Sequence, residues 1–259
     1  MAKRSFKSNC HGQVLVVTAL LVALLLLSTA IYVIEVGKNV PEAQQVEGTS
    51  FAVYKTSFRS ALISALANVT GGGDRNVLSA DLSALKATIL AHSYKAMLTI
   101  EYSIQNSAPY SDGFWISWGT NGKGVSSVSS SFDLSASGLS GSSELQFALN
   151  VTSALEYSGT YMRLADNAKQ VTLTIKVLNE GTPALAQNFT VYLDHDGTTS
   201  TVDWVEITSP NVVDFGNGTY RVSFVEDTAE RTSPVIVSLL CQDKRGILIG
   251  AEATCALTG

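Results

Sequence analysis

Reactive side chains are sparse in this chain and poorly spaced for catalysis. The three histidines are His11, His92 and His195. Only His195 has carboxylate neighbours, in Asp194-His195-Asp196-Gly197. Asp194 and Asp196 lie on one side of an extended chain, and paired carboxylates suit a hard cation such as Ca²⁺. An EF-hand loop needs further oxygen ligands and a Glu at its twelfth position, where this chain has Val205. Asp and Gly also favour turns, so we read the segment as a turn and expect no metal site. Gly71-Gly72-Gly73-Asp74 lacks the Lys-Ser/Thr pair with which a phosphate loop grips its ligand. Gly-x-Ser-x-Gly, the hydrolase nucleophile elbow, does not occur. No catalytic residue and no cofactor is expected. Tyr110, Phe114, Trp115 and Trp118 form the densest aromatic cluster. It reads first as core packing and second as a carbohydrate platform.

Modification chemistry is better represented. Asn-X-Thr occurs at Asn68, Asn150, Asn188 and Asn217, candidates for N-glycosylation. Asn217, between Gly216 and Gly218, is the most accessible by its turn setting. Of the three cysteines, Cys241 and Cys255 form a candidate disulfide in an oxidising exterior. If residues 243–246 close a simple hairpin, however, Cys241 faces about Leu248, and a bridge then needs a bulge or bend. Cys10 reads as a reduced cytoplasmic thiol. A net charge of −5 and a pI near 5.2 have the wrong sign for a phosphate backbone, so nucleic acid is excluded as a partner.

The elements that would position these groups begin with a charge asymmetry. Lys3, Arg4 and Lys7 precede an apolar run from Val14 to Val36 that carries no charge before Glu35. About 20 apolar residues in helix cross a bilayer core. Cations before the run and acids after it set the N-terminus in the cytoplasm and the rest outside. The expectation is a single-pass protein of the cell membrane with an extracellular C-terminal region. Three processing routes stay open: a retained signal anchor, cleavage after Ser28-Thr29-Ala30, and cleavage at Gly12.

The third route rests on a resemblance. Lys7-Ser8-Asn9-Cys10-His11-Gly12, followed by Gln13 and the apolar helix, resembles the class III signal of archaellins and type IV pilins. The likeness implies a prepilin-type peptidase cutting between Gly12 and Gln13. It also implies a retained helix that packs with copies of itself. His11 stands where archaeal leaders commonly carry a basic residue, and Val17 where bacterial pilins carry Glu. The C-terminal half is similar to archaeal surface proteins with a pilin-like start and a β-rich exterior.

Beyond the run, residues 38–49 read as a polar connection that includes Pro41. Phe51, Tyr54, Phe58, Leu62, Ala65 and Leu66 recur at helical steps, with Thr49 or Ser50 as cap and three glycines as the stop. A second helix is predicted over Val77–Ile104 on Leu78, Leu82, Leu85, Ile89, Ala96 and Ile100, with Tyr94 and Met97 as packing residues. The Ser- and Gly-rich stretch after Pro109 reads as short strands and loose loops. Gln170–Asn179 alternates apolar and polar residues, the period of a half-buried antiparallel strand. Further strands are predicted near 187–194, 202–207, 211–215, 219–226, 234–242 and 246–255.

The expected architecture is α+β: a transmembrane helix, a helical pair, then mainly antiparallel β ending in an immunoglobulin-like sandwich. The segments are 1–12 (leader), 13–37 (helix), 38–105 (helical), 106–166 (Ser/Gly-rich β) and 167–259 (sandwich). The expected function is a non-enzymatic, membrane-anchored, glycosylated surface protein, a pilin-like structural or adhesive subunit. The alternative is a monomeric anchored ectodomain that binds a glycan or protein ligand.

Overall fold

A computed structural model describes residues 22–23, 26–28, 42–93, 97–138, 141–196 and 203–258. The chain divides into two units, 1–50 and 51–259. In the first, 22–23 and 26–28 are helical, and residues 42–50 open helix α1. The second carries the rest of α1 (Glu42–Thr70), helix α2 (Val77–His92) and twelve strands.

Two sequence expectations are corrected here. The protein is mostly β, built around one 12-stranded sheet, and is not an α+β chain led by a membrane helix. Among the described residues no helix is long and apolar enough to cross a membrane. Helix α1 has the length, at 29 residues, but its sequence includes Glu42, Glu47, Lys55 and Arg59. Helix α2 has 16 residues and falls short of a bilayer core. The expected membrane helix, signal anchor and single-pass localisation are corrected by that finding on the described residues. Within the Val14–Val36 run, Val22, Ala23, Leu26, Leu27 and Ser28 are exposed helical residues, and the remainder lies outside the described residues. So do the leader, Gly12 and Gln13.

Helix α1 presents Phe58, Leu62, Ala65, Leu66 and Val69 to the core at the predicted steps of three and four. It ends where Gly72 adopts φ +98°, a left-handed conformation that glycine enters without strain. Helix α2 stops at His92, and Met97–Ile104 is strand β1, correcting the longer helix. MLTIEYSI suits a strand as well as a helix, and pairing with β3 decides it. Met97 is exposed rather than packed, and Tyr94 lies outside the described residues.

The remaining strands are β2 (Phe114–Trp118), β3 (Lys123–Gly138), β4 (Gly141–Arg163), β5 (Ala168–Asn179), β6 (Thr182–Pro183), β7 (Ala186–Asp194), β8 (Trp204–Glu206), β9 (Asn211–Asp214), β10 (Thr219–Asp227), β11 (Val235–Asp243) and β12 (Leu248–Leu257). The sheet order is β8-β7-β11-β12-β4-β5-β10-β9. Strand β3 runs along the first part of β4, and β1 and β2 share the other edge of β3. The Ser-rich region is thus two long strands of 16 and 23 residues, not several short ones. Val128, Phe132 and Leu134 point in, and the serines on that face, Ser126 and Ser130, are buried with their hydroxyls donating to the Leu248 and Ser103 carbonyls.

The sheet folds over into two layers. β7 and β10 stand five strands apart in its order, about 24 Å in a flat sheet. Yet the Phe189 and Tyr220 rings lie 4.7 Å apart, and the Ala186 N–H donates to the Tyr220 hydroxyl at 2.7 Å. The Tyr157 hydroxyl of β4 likewise donates to the Val237 carbonyl of β11 at 2.6 Å. At the fold, β4 meets β12 in parallel through Thr160–Ala256 and Tyr161–Leu257. Close approach there requires glycine: a Cβ on Gly159 of β4 would collide with the Cys255 thiol of β12.

One end of the sandwich is closed by a polar cluster centred on Asp243, which is fully buried. Its Oδ1 accepts the N–H groups of Arg245 at 2.8 Å and Ile247 at 3.0 Å. Its Oδ2 accepts from Arg245 Nε at 2.7 Å and from the Ser153 hydroxyl at 2.6 Å. Arg245 reaches on to Glu180 Oε1 at 2.7 Å and to the Thr152 carbonyl at 3.0 Å. Glu180 also pairs with Arg59 of α1 at 3.2 Å. Asp243→Ala leaves the Arg245 head half-buried without its carboxylate, which costs about 3 kcal/mol. Tyr157→Phe, which removes one neutral hydrogen bond, costs about 1 kcal/mol. Urea midpoints should rank wild type above Tyr157→Phe and Tyr157→Phe above Asp243→Ala; a reversed order would contradict the cluster's role.

Candidate functional site

Alternation along β2 divides the aromatic cluster between two faces. Phe114 points into the core and is 1% exposed. Trp118, on the same side, lies over Gly250 of β12, where an added Cβ would come within 3.1 Å of the indole. Trp115 points the other way. Across that outer face Trp115 pairs with Ser127 of β3, and Ser127 pairs with Thr152 of β4, a row of three side chains on three strands. Asn150 sits two residues before Thr152 on the same face.

Tyr110 completes the patch from the loop before β2. That loop contains a cis Ala108–Pro109 bond, and the Tyr110 N–H donates to the Ser107 carbonyl at 2.9 Å. The Tyr110 ring meets Trp115 edge-on, with centroids 6.1 Å apart. Its hydroxyl accepts from Asn150 Nδ2 at 2.9 Å and lies 3.0 Å from the Ser127 hydroxyl. Asn150 Oδ1 accepts from Thr152 Oγ1 at 2.7 Å, and the Ser127 hydroxyl lies 3.0 Å from it. Ser127 is buried, Tyr110 and Trp115 are half-buried, and Asn150 is exposed. The Trp115 indole N–H has no partner among the described residues. The patch thus offers an aromatic face, a free N–H donor, and an amide and hydroxyls already held in place. The Thr152 N–H also donates to Glu180 Oε1 at 3.2 Å, which ties the patch to the Asp243 cluster.

The other sequence candidates are dispersed. Asn68 is exposed near the end of α1, Asn188 is exposed at φ +53° in β7, and Asn217 is exposed in the β9–β10 turn. Cys241 and Cys255 are both free and buried. Cys241 pairs with Ile249 and Cys255 with Val235, so about 20 Å of ladder separates the thiols and the candidate disulfide is not formed. His92 lies on the surface of α2, its Nδ1 2.8 Å from the Thr88 carbonyl. Asp194 is buried and its Oδ1 takes the Asp203 N–H at 3.4 Å. No three metal-binding side chains gather among the described residues. Gly197 lies outside them.

Two buried polar groups escaped the sequence reading. Asp243 and Arg245 read there only as turn residues. Lys169, 1% exposed, donates to the Ser233 carbonyl at 2.6 Å and the Glu230 carbonyl at 3.2 Å, with its Nζ over the Tyr161 ring. Burial pulls its pKa below the ordinary lysine value. Nothing in the local pattern separates this lysine from a solvated one, because Tyr161, Glu230 and Ser233 are brought to it only by the fold.

The sequence matches no protein-family model and no curated protein. Among solved structures, a chimeric titin Z1Z2 tandem carrying a GRGDS peptide from fibronectin aligns over 64% of this chain and 85% of its own. Identity is 12% and the TM-score 0.20, a likeness too slight to argue from.

Burial, with the Asp243 carboxylate adding to it, pushes the Cys241 thiol up to about 12. Burial does the same to Cys255, also to about 12. Unfolded thiols ionise near pH 8.5. The folded state therefore keeps protons that the unfolded state releases, and stability falls as pH rises from about 8.5 towards 12. Below that window these thiols contribute no slope. Denaturant midpoints measured from pH 7 to 11 should fall across the alkaline range and fall less in a Cys241→Ala/Cys255→Ala chain.

Proposed function

We propose that this protein is a non-enzymatic adhesive subunit whose outer β face holds a saccharide at Trp115. The carrying observation is the row Trp115–Ser127–Thr152 with Tyr110 and Asn150 beside it. Sugars expose C–H patches that pack on aromatic faces and hydroxyls that need directed partners. A half-buried indole with an unengaged N–H supplies the first requirement. An amide held by Tyr110 and Thr152 supplies the second without further loss of side-chain freedom. Apart from Tyr110, which comes from the loop before β2, the patch rests on paired strands, which favours a fixed geometry. Such a surface acts by presentation and needs no reacting group.

The test is titration calorimetry of the full chain with neutral hexose and N-acetylhexosamine oligosaccharides chosen from an array. Trp115→Ala should weaken binding at least about tenfold, equivalent to about 1.4 kcal/mol. Trp118→Ala, on the opposite face of β2, should leave affinity within about twofold. Equal loss in both variants, or no oligosaccharide bound by the wild type, overturns the reading.

A further inference from the structure

We propose that Asn217 is an N-linked glycosylation site built into the β9–β10 hairpin, with the Phe215 ring as the packing surface for its first sugar. The turn reads Phe215-Gly216-Asn217-Gly218-Thr219. The Phe215 N–H donates to the Thr219 carbonyl at 3.1 Å, so these two residues face each other across the hairpin and bracket Asn217. Residues opposed in this way project to one side of a ladder. Gly216 and Gly218 take φ +74° and +77°, which lets three residues close the turn. Its chain neighbours aside, a Cβ at Gly216 would meet nothing within 4 Å, so no other part of the described fold crowds the turn there. Phe215 is 53% exposed, an unusual place for a large apolar ring. Arg221 stacks 5.9 Å from its centroid. That contact steadies the ring while leaving much of it uncovered.

The other three sequons are each committed elsewhere. Thr70 of the Asn68 sequon is buried, its hydroxyl donating to the Leu66 carbonyl and accepting the Leu248 N–H. Asn150 Nδ2 donates to Tyr110, and Asn188 Nδ2 donates to Gln242 Oε1 at 2.8 Å. Asn217 Oδ1 accepts the Thr219 N–H at 3.1 Å, while its Nδ2 has no partner among the described residues. Nδ2 is the atom that reacts. It forms a bond to the anomeric carbon of an activated sugar, a nucleotide- or lipid-pyrophosphate donor. The bond from that carbon to the phosphate oxygen breaks, and one amide proton is released with the leaving group. No oxidation accompanies the step. The Phe215 face then covers the apolar side of the attached hexose or N-acetylhexosamine. This site is separate from the Trp115 patch and does not depend on it.

Peptide mass mapping of the full chain from its source cells tests the assignment. The expected result is a reducing-end hexose or N-acetylhexosamine on Asn217, with Asn68, Asn150 and Asn188 bare. A bare Asn217, or a sugar on one of the other three in its place, overturns it. The ring's part is read from melting temperatures of the same material. Asn217→Gln should lower Tm by about 2–4 °C beside Phe215. The same substitution should leave Tm unmoved in the Phe215→Ala chain. An equal drop in both backgrounds removes Phe215 from the account.

Discussion

A buried carboxylate is the constraint around which this fold is arranged. Taking Asp243 out of water costs several kcal/mol unless its oxygens are fully used. Each of its two oxygens accepts two hydrogen bonds, and the four donors are Ser153, two groups of Arg245 and the Ile247 backbone. Satisfying it therefore fixes the β11–β12 turn against β4. Arg245 then extends the same constraint to Glu180, and Glu180 to Arg59 on α1. A sheet that folds over on itself has to hold a crease, and apolar packing alone lets layers slide. Directional charge-assisted bonds at one end, with Tyr157 and Tyr220 bonding across the interior, suppress that freedom.

The same cluster reaches the outer face. Glu180 sits at φ +48° in the turn after β5 and takes the Thr152 N–H as well as Arg245. Thr152 is the third member of the row that begins at Trp115. The aromatic patch is thus buttressed from beneath by the ion pairs that close the sandwich. Its amide and hydroxyls bond to one another rather than waiting in water, so their orientation is set by the fold.

Periodicity carried much of the β architecture into view. The strands from Gln170 onward lie within a residue or two of where alternation places them, because a half-buried antiparallel strand enforces a period of two. Helix α1 was legible for the same kind of reason. Strand β1 was not: Leu98, Ile100 and Tyr102 fit both periods, and only β3 at its side distinguishes them. The apolar run near the N-terminus shows the converse hazard, since hydropathy and flanking charge argue for a membrane helix that the described structure does not contain. Of the site, the aromatic residues were visible but their division was not. Asn150 was visible as a sequon and not as a partner of Tyr110, whose hydroxyl comes from 40 residues away.

That division is the most consequential feature of the chain, and it follows from one rule. Successive side chains of a strand leave on opposite faces. In Phe114-Trp115-Ile116-Ser117-Trp118 the even positions meet the interior and β12, and the odd ones meet the Ser-rich outer face. A core needs large rings, and so does a saccharide platform, but composition cannot say which is which. Parity can, once a neighbour is known: the fully buried Phe114 fixes the inward phase, and Trp115 is then outward by necessity. Serine on β3 completes the arrangement. Its small side chain at position 127 lets Tyr110 and Asn150 close over it, where a larger residue would hold them apart. The Ser-rich composition that resembles a linker is what makes room for an ordered polar surface on a rigid sheet.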